Sequence, residues 1–119
     1  MTYILTVSGT FSAAHSILSF PKGHKCKNIH GHTWEVECNF KYNNTLKNQG
    51  ICCDFHILKS RLNSIISQLD HTNLNDKFDI SSAENIAKYI YNHLVSDTNI
   101  KSVKVKESQN AWVVYSEDI

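Results

Sequence analysis

The chain has 119 residues, of which 41% are hydrophobic and 19% charged, and its formal net charge is +1. That length sets one domain with one core, and the near-neutral charge excludes a general nucleic-acid or membrane-surface binder. No apolar stretch approaches a membrane span, and Met1-Thr2-Tyr3-Ile4-Leu5 lacks the basic start and long apolar run of a signal peptide, so a cytoplasmic location is expected.

Residues 2 to 14 read as a strand, with Leu5, Val7, Gly9, Phe11, Ala13 and His15 on one phase of a two-residue period. Residues 16 to 29 read as a loop holding Pro21, Gly23 and the basic or potentially basic Lys22, His24, Lys25 and Lys27. Residues 31 to 42 form a second strand, whose inward row runs His30, His32, Trp34, Val36, Cys38, Phe40. Asn43-Asn44 and Asn48-Gln49-Gly50 mark a turn region. Asp54 caps a helix whose apolar stripe is Phe55, Leu58, Leu62, Ile65, Ile66 and Leu69. A polar connection covers residues 70 to 80. Ser81-Ser82-Ala83-Glu84 is a capping-box sequence with Ser81 as the cap, and Ala83, Ile86, Ala87, Ile90 and Leu94 form the stripe of a second helix. Residues 102 to 107 and 111 to 116 alternate around Ser108-Gln109-Asn110 and predict a closing hairpin.

The order β-β-α-α-β-β predicts an α+β domain, a four-stranded antiparallel sheet with both helices on one face. The other face, with Thr6, Ser8, Thr10, Glu35, Glu37, Lys41, Lys104 and Lys106, is expected to be wet.

His15, His30 and His32 end inward rows, so their imidazoles can converge, and three neutral imidazole nitrogens suit Zn²⁺. Gly31 lets the backbone approach an ion or partner closely. No Cys-x-x-Cys pair is present, which disfavours a zinc-finger site, and three protein ligands leave a coordination position open. Cys26, four residues before His30 in a basic loop, is a candidate base or nucleophile. Asp70-His71 is a carboxylate beside an imidazole. Glu107 ends the Val103-Val105 row as an inward carboxylate and a candidate acceptor for paired N–H donors, or else it is simply exposed at a strand end. His24, His56 and His93 receive no role, and Cys38, Cys52 and Cys53 read as packing residues rather than a disulfide framework.

Phe11-Ser12-Ala13-Ala14-His15 and Gly23-His24-Lys25-Cys26-Lys27-Asn28-Ile29-His30-Gly31-His32 resemble the 6-pyruvoyltetrahydropterin synthase superfamily. The Cys-x-x-x-His-Gly-His spacing looks like its bacterial 6-carboxy-5,6,7,8-tetrahydropterin synthase branch, of queuosine biosynthesis. The similarity continues through Asp54-Phe55, Leu69-Asp70-His71, Leu74-Asn75-Asp76, Ala83-Glu84-Asn85 and Val105-Lys106-Glu107. It implies a tunnelling fold in which three sheets close a barrel and two trimers stack into a homohexamer with active sites between subunits. It also implies Zn²⁺ on His15, His30 and His32, Cys26 as catalytic base, His71 with Asp70 in proton transfer and Glu107 as anchor of the pterin ring. Ser81 and Ser82 would lie near the pterin, and Lys22, Lys25 or Lys27 would help hold triphosphate. The implied reaction turns 7,8-dihydroneopterin triphosphate into 6-carboxy-5,6,7,8-tetrahydropterin, acetaldehyde and triphosphate. No Gly-rich dinucleotide fingerprint is present, in keeping with a reaction that needs no nicotinamide. Ile80 stands where the family often has Pro, and Cys52-Cys53 replaces the usual aliphatic pair. The rivals are a 6-pyruvoyl synthase acting on the same substrate and a noncatalytic zinc or pterin-binding module.

Overall fold

The computed structural model describes residues 2–43 and 50–117. Two long strands, β1 (Thr2–His15) and β2 (His30–Asn43), pair antiparallel over their whole length. Helices α1 (Phe55–Ile66) and α2 (Ala83–Leu94) follow, separated by a two-residue strand β3 (Thr72–Asn73) and a 3-10 turn at Leu74–Asp76. Strands β4 (Ile100–Ser108) and β5 (Ala111–Tyr115) close the chain as a hairpin. The sheet order is β3-β1-β2-β4-β5.

The four antiparallel strands and two helices match the expected fold. The structure adds a fifth strand, because β3 pairs parallel with Ala13–Ala14 of β1 and makes the sheet mixed. The segment 70 to 80 is therefore more than a polar connection, and its Leu74 is fully buried.

The core lies between one sheet face and the helices. Val7, Phe11, Trp34, Val36, Cys38, Phe40, Val103 and Val105 meet Leu58, Leu62, Ile65, Ile86, Ile90 and Leu94. A Cβ on Gly9 would stand 2.7 Å from Ile66 Cδ1, so this glycine lets α1 lie close against β1.

Asp54 caps α1 by accepting the His56 amide at 2.8 Å. Phe55, placed by its spacing in the apolar stripe, is instead exposed, because the first helical residue faces away before the stripe reaches the sheet. Leu69 is buried, but beyond the end of the helix. The cap of α2 is Ser82, not Ser81: the Ser82 hydroxyl accepts the Asn85 amide, and Asn85 reaches back to the Ile80 carbonyl.

The outer sheet face exposes Thr6, Ser8 and Thr10, but also Ile4, Trp112 and Val114. Lys104 and Lys106 lie over the Trp112 ring, with Nζ 4.3 Å and 5.3 Å from its centroid. The turn expected at Asn43-Asn44 and Asn48-Gln49-Gly50 falls mostly at 44–49, outside the described residues.

Candidate metal centre and active-site cleft

Strand register builds the imidazole cluster. β1 and β2 pair with His15 directly opposite His30 and with Ala13 opposite His32, so all three rings share one face at one end of the sheet. Their nearest ligand nitrogens lie within 4.8 Å of one another, close enough for one ion to reach all three after small ring rotations. Trp34 walls the cluster from the core, edge-on to His15 and His32 at 4.9 Å and 5.3 Å between centroids, with its indole N–H on the Ala13 carbonyl.

Two rings have their tautomer fixed. His15 Nδ1 donates to the Ser81 carbonyl and His30 Nδ1 to the Asn28 carbonyl, each at 2.7 Å. A carbonyl can only accept, so Nδ1 carries the proton and Nε2 keeps its lone pair. The Nε2 atoms of His15 and His32 are buried without a hydrogen-bond partner. Burial also lowers the pKa of His32, with Glu107 pulling the other way and His15 and His30 adding to the depression. Three imidazoles at one end of the sheet, two of them with buried and unpartnered Nε2 atoms, are a donor set that fits a divalent ion of borderline softness.

Glu107 faces the same point. Its carboxylate oxygens lie 3.6 Å from His15 Nε2 and 3.7 Å from His32 Nε2, beyond hydrogen-bond range. The pairs Lys106–Trp112 and Ser108–Ala111 leave Glu107 as the extra residue of a β-bulge, a device that re-aims one side chain.

A cleft of about 450 Å³ is lined by Lys25, Cys26, His30, Gly31, His32, Glu107 and Ser108. A second, of about 380 Å³, brings His15, Phe20, Cys26, Ile80, Ser82 and Glu107 together. Cys26 and Glu107 line both. Cys26 sits on a 3-10 turn, Lys25–Lys27, where its amide donates to His24 Nδ1 at 3.0 Å and its carbonyl accepts the Ile17 amide at 2.8 Å. His24, given no role from the sequence, thus caps the turn that carries the thiol. Lys22 and Lys27 line neither cleft.

Two groups of expected site residues lie elsewhere. Asp70 and His71 line neither cleft, and His71 is 83% exposed. Asp70 Oδ1 accepts the Ser12 amide, its Oδ2 lies 2.9 Å from His71 Nδ1, and the His71 amide donates to the Ser12 carbonyl. This strap holds His71 on β1 in the left-handed region, at φ 58°. Ser81 was expected beside the substrate; it is wholly buried, and its hydroxyl is engaged by the Ser16 carbonyl and Asn75 Oδ1. Ser82 remains at the cleft wall. Asn75 and Asn28, which support the imidazoles, carried no local signal beyond the spacing of the family motifs.

The sequence pattern of 6-pyruvoyl tetrahydropterin synthase (PTPS) matches residues 4–118. The chain belongs to the 6-pyruvoyl tetrahydropterin synthase family. It is 36% identical over 110 residues to an Archaeoglobus fulgidus protein provisionally named 6-carboxy-5,6,7,8-tetrahydropterin synthase, covering 92% of this chain and 91% of the relative. It is 31% identical over 108 residues to the dihydroneopterin monophosphate aldolase of Pyrococcus furiosus, covering 87% and 89%. The 6-pyruvoyl tetrahydropterin synthase of Caenorhabditis elegans superposes with a TM-score of 0.85 over 99% of this chain and 97% of that one, at 22% identity. The fold is thus the tunnelling fold of this family. Among the described residues no helix is long and apolar enough to cross a membrane.

Proposed function

We propose that the protein is a zinc-dependent 6-carboxy-5,6,7,8-tetrahydropterin synthase of queuosine biosynthesis. It converts 7,8-dihydroneopterin triphosphate and water to 6-carboxy-5,6,7,8-tetrahydropterin, acetaldehyde and triphosphate. The observation that carries this reading is the clustering of His15, His30 and His32 beside two clefts that share Cys26 and Glu107. The identity to the Archaeoglobus protein over nearly the whole chain supports it.

His15, His30 and His32 hold the ion, which when bound supplies Lewis acidity toward the hydroxyls of the substrate side chain. Cys26, as thiolate, takes a proton from that side chain. Glu107 presents two carboxylate oxygens to the adjacent N–H donors of the aminopyrimidine edge. Lys25 meets the triphosphate, and Ser82 bounds the pterin ring. Asp70 and His71 complete proton transfer from a neighbouring subunit, since within one chain they stand apart from the cleft. A homohexamer of two stacked trimers would bring them there and would cover Trp112 and Val114 at the β5 edge. This reading goes with a reducing, cytoplasmic setting, in which a thiol such as that of Cys26 stays free.

The Pyrococcus relative favours a second reading, cleavage of dihydroneopterin monophosphate by an aldolase. Mass spectrometry after incubating the zinc-loaded protein with the triphosphate, and separately with the monophosphate, separates them. The carboxy product with acetaldehyde is expected from the triphosphate. Turnover of the monophosphate alone would favour the aldolase, a pyruvoyl product the sister synthase, and zinc binding without turnover a binding module.

A further inference from the structure

His15 and His30 are oriented in different ways. The Asn28 carbonyl that receives His30 Nδ1 is two residues away and comes with the local chain. The Ser81 carbonyl that receives His15 Nδ1 is 66 residues away and belongs to the approach to α2. Something must hold that approach against the end of β1.

Asn75 stands between the two. Its Oδ1 accepts the Ser16 amide at 2.8 Å and its Nδ2 donates to the Ser16 carbonyl at 2.9 Å. One side-chain amide thus takes both backbone groups of the residue after His15, continuing by side chain the β1–β3 pairing that ends at Ala14–Asn73. The same Oδ1 lies 3.2 Å from the Ser81 hydroxyl, which shares its proton between Asn75 and the Ser16 carbonyl. Asn75 is itself fixed: its amide donates to Asn73 Oδ1 at 3.1 Å, and the neighbouring Leu74 is fully buried. The circuit closes from the His15 ring through the Ser81 carbonyl, the Ser81 hydroxyl, Asn75 and Ser16 back to His15.

We propose that Asn75 is a positioning residue for the metal site, holding the Ser81 carbonyl against His15 and thereby setting the tautomer and aim of that imidazole. The proposal rests on the reading of His15, His30 and His32 as ion ligands. Without Asn75 the Ser81 carbonyl can drift, and His15 can place its proton on Nε2, the nitrogen that must ligate. Groups behind a metal ligand typically change affinity by about 10–100-fold when removed.

The test is Zn²⁺ affinity by chelator competition on the purified full chain, together with long-range ¹H–¹⁵N NMR of His15 in the metal-free protein. Asn75→Ala should weaken Zn²⁺ binding by about 10–100-fold and give His15 a mixture of tautomers. Arg61→Ala is the control: Arg61 ties α1 to the end of α2 through the His93 carbonyl and Asp97, so its loss should lower stability and leave zinc affinity and tautomer unchanged. Should Asn75→Ala fail to fold, Asn75→Asp, which sets a charged acceptor in place of the Nδ2 donor against the Ser16 carbonyl, and Ser81→Ala, which removes the hydroxyl linking Ser81 to Asn75, carry the same readouts. Zinc affinity within about twofold of wild type in the Asn75 variants, or a loss matched by Arg61→Ala, would overturn the proposal. A wild-type chain that holds no Zn²⁺ would instead overturn the metal reading beneath it.

Discussion

The imidazole cluster and the Asp70–His71 strap both lie toward the His15 end of β1, yet they are built in opposite ways. The cluster is partly buried and unsatisfied: His15 is 1% exposed, His30 and His32 are half-buried, and two Nε2 atoms have no partner. The strap is open and satisfied, with Asp70 bonded to both Ser12 and His71. Burying polar atoms without partners is costly, so the cluster makes sense as a place completed by an ion. The strap needs no ion. It fixes an imidazole in a left-handed position and leaves it in solvent, which suits a group that acts on something outside its own chain.

The largest effect that would break this contrast is loss of the ion. His30→Ala should abolish stoichiometric Zn²⁺ binding and turnover together, read by metal analysis and product formation. His71→Ala should leave zinc content and melting temperature near wild type, because the ring is exposed, and lower turnover. A His71 variant that loses zinc would mean that the two regions are one.

Next comes the thiol. Cys26→Ala should keep zinc and fold and reduce turnover by about 10²–10⁴-fold, the usual contribution of a positioned base. Cys38→Ala should not act on the chemistry, since Cys38 is buried in the core and burial pushes its thiol up to about 12. Wild-type turnover in the Cys26 variant would reject its role.

Glu107→Gln replaces one acceptor oxygen with a donor. It should weaken binding of a pterin such as neopterin by roughly 2–4 kcal/mol in calorimetric titration of the zinc-loaded protein. Unchanged affinity would make Glu107 an ordinary carboxylate beside the imidazoles.

The smallest effect is in acid. The Ser12 amide, and then His71, hold the Asp70 carboxyl below its ordinary value of 3.8. A depressed folded-state pKa contributes stability that is complete above the unfolded value and is lost as pH falls through the folded one. Asp70→Asn should therefore lower stability at neutral pH, where the carboxylate's contribution is complete, and converge with wild type below about pH 4, so that the acid limb is flatter in urea melts. An unchanged acid limb would mean that the strap does not bind Asp70 more tightly as a carboxylate.

Much of the site could be read from the sequence because it lies on long strands. A period of two over fourteen residues fixes which side chains share a face, so His15, His30 and His32 appear together once Val7, Phe11, Trp34 and Val36 define the inner side. Glu107 followed from the same count along Val103 and Val105. Where elements are short, the count fails. β3 has two residues, too few for any period, and exists only because Ala13–Ala14 offer it a free edge. Two adjacent serines satisfy the same capping pattern, and the choice of Ser82 over Ser81 comes from Ser81 being drawn inward by Ser16, Asn75 and His15. Phe55 fitted the helical spacing but sits a turn before the sheet begins to cover α1.

The sequence by itself determined the alternation of the strands, the stripes of the helices and the shared face of the three histidines, since these are properties of neighbouring residues on a repeating backbone. Only the tertiary structure decided that His15 takes its acceptor from Ser81 and that His71 stands away from the cleft. Each of these depends on a contact between segments far apart in the chain, and local spacing carries no information about where such segments meet.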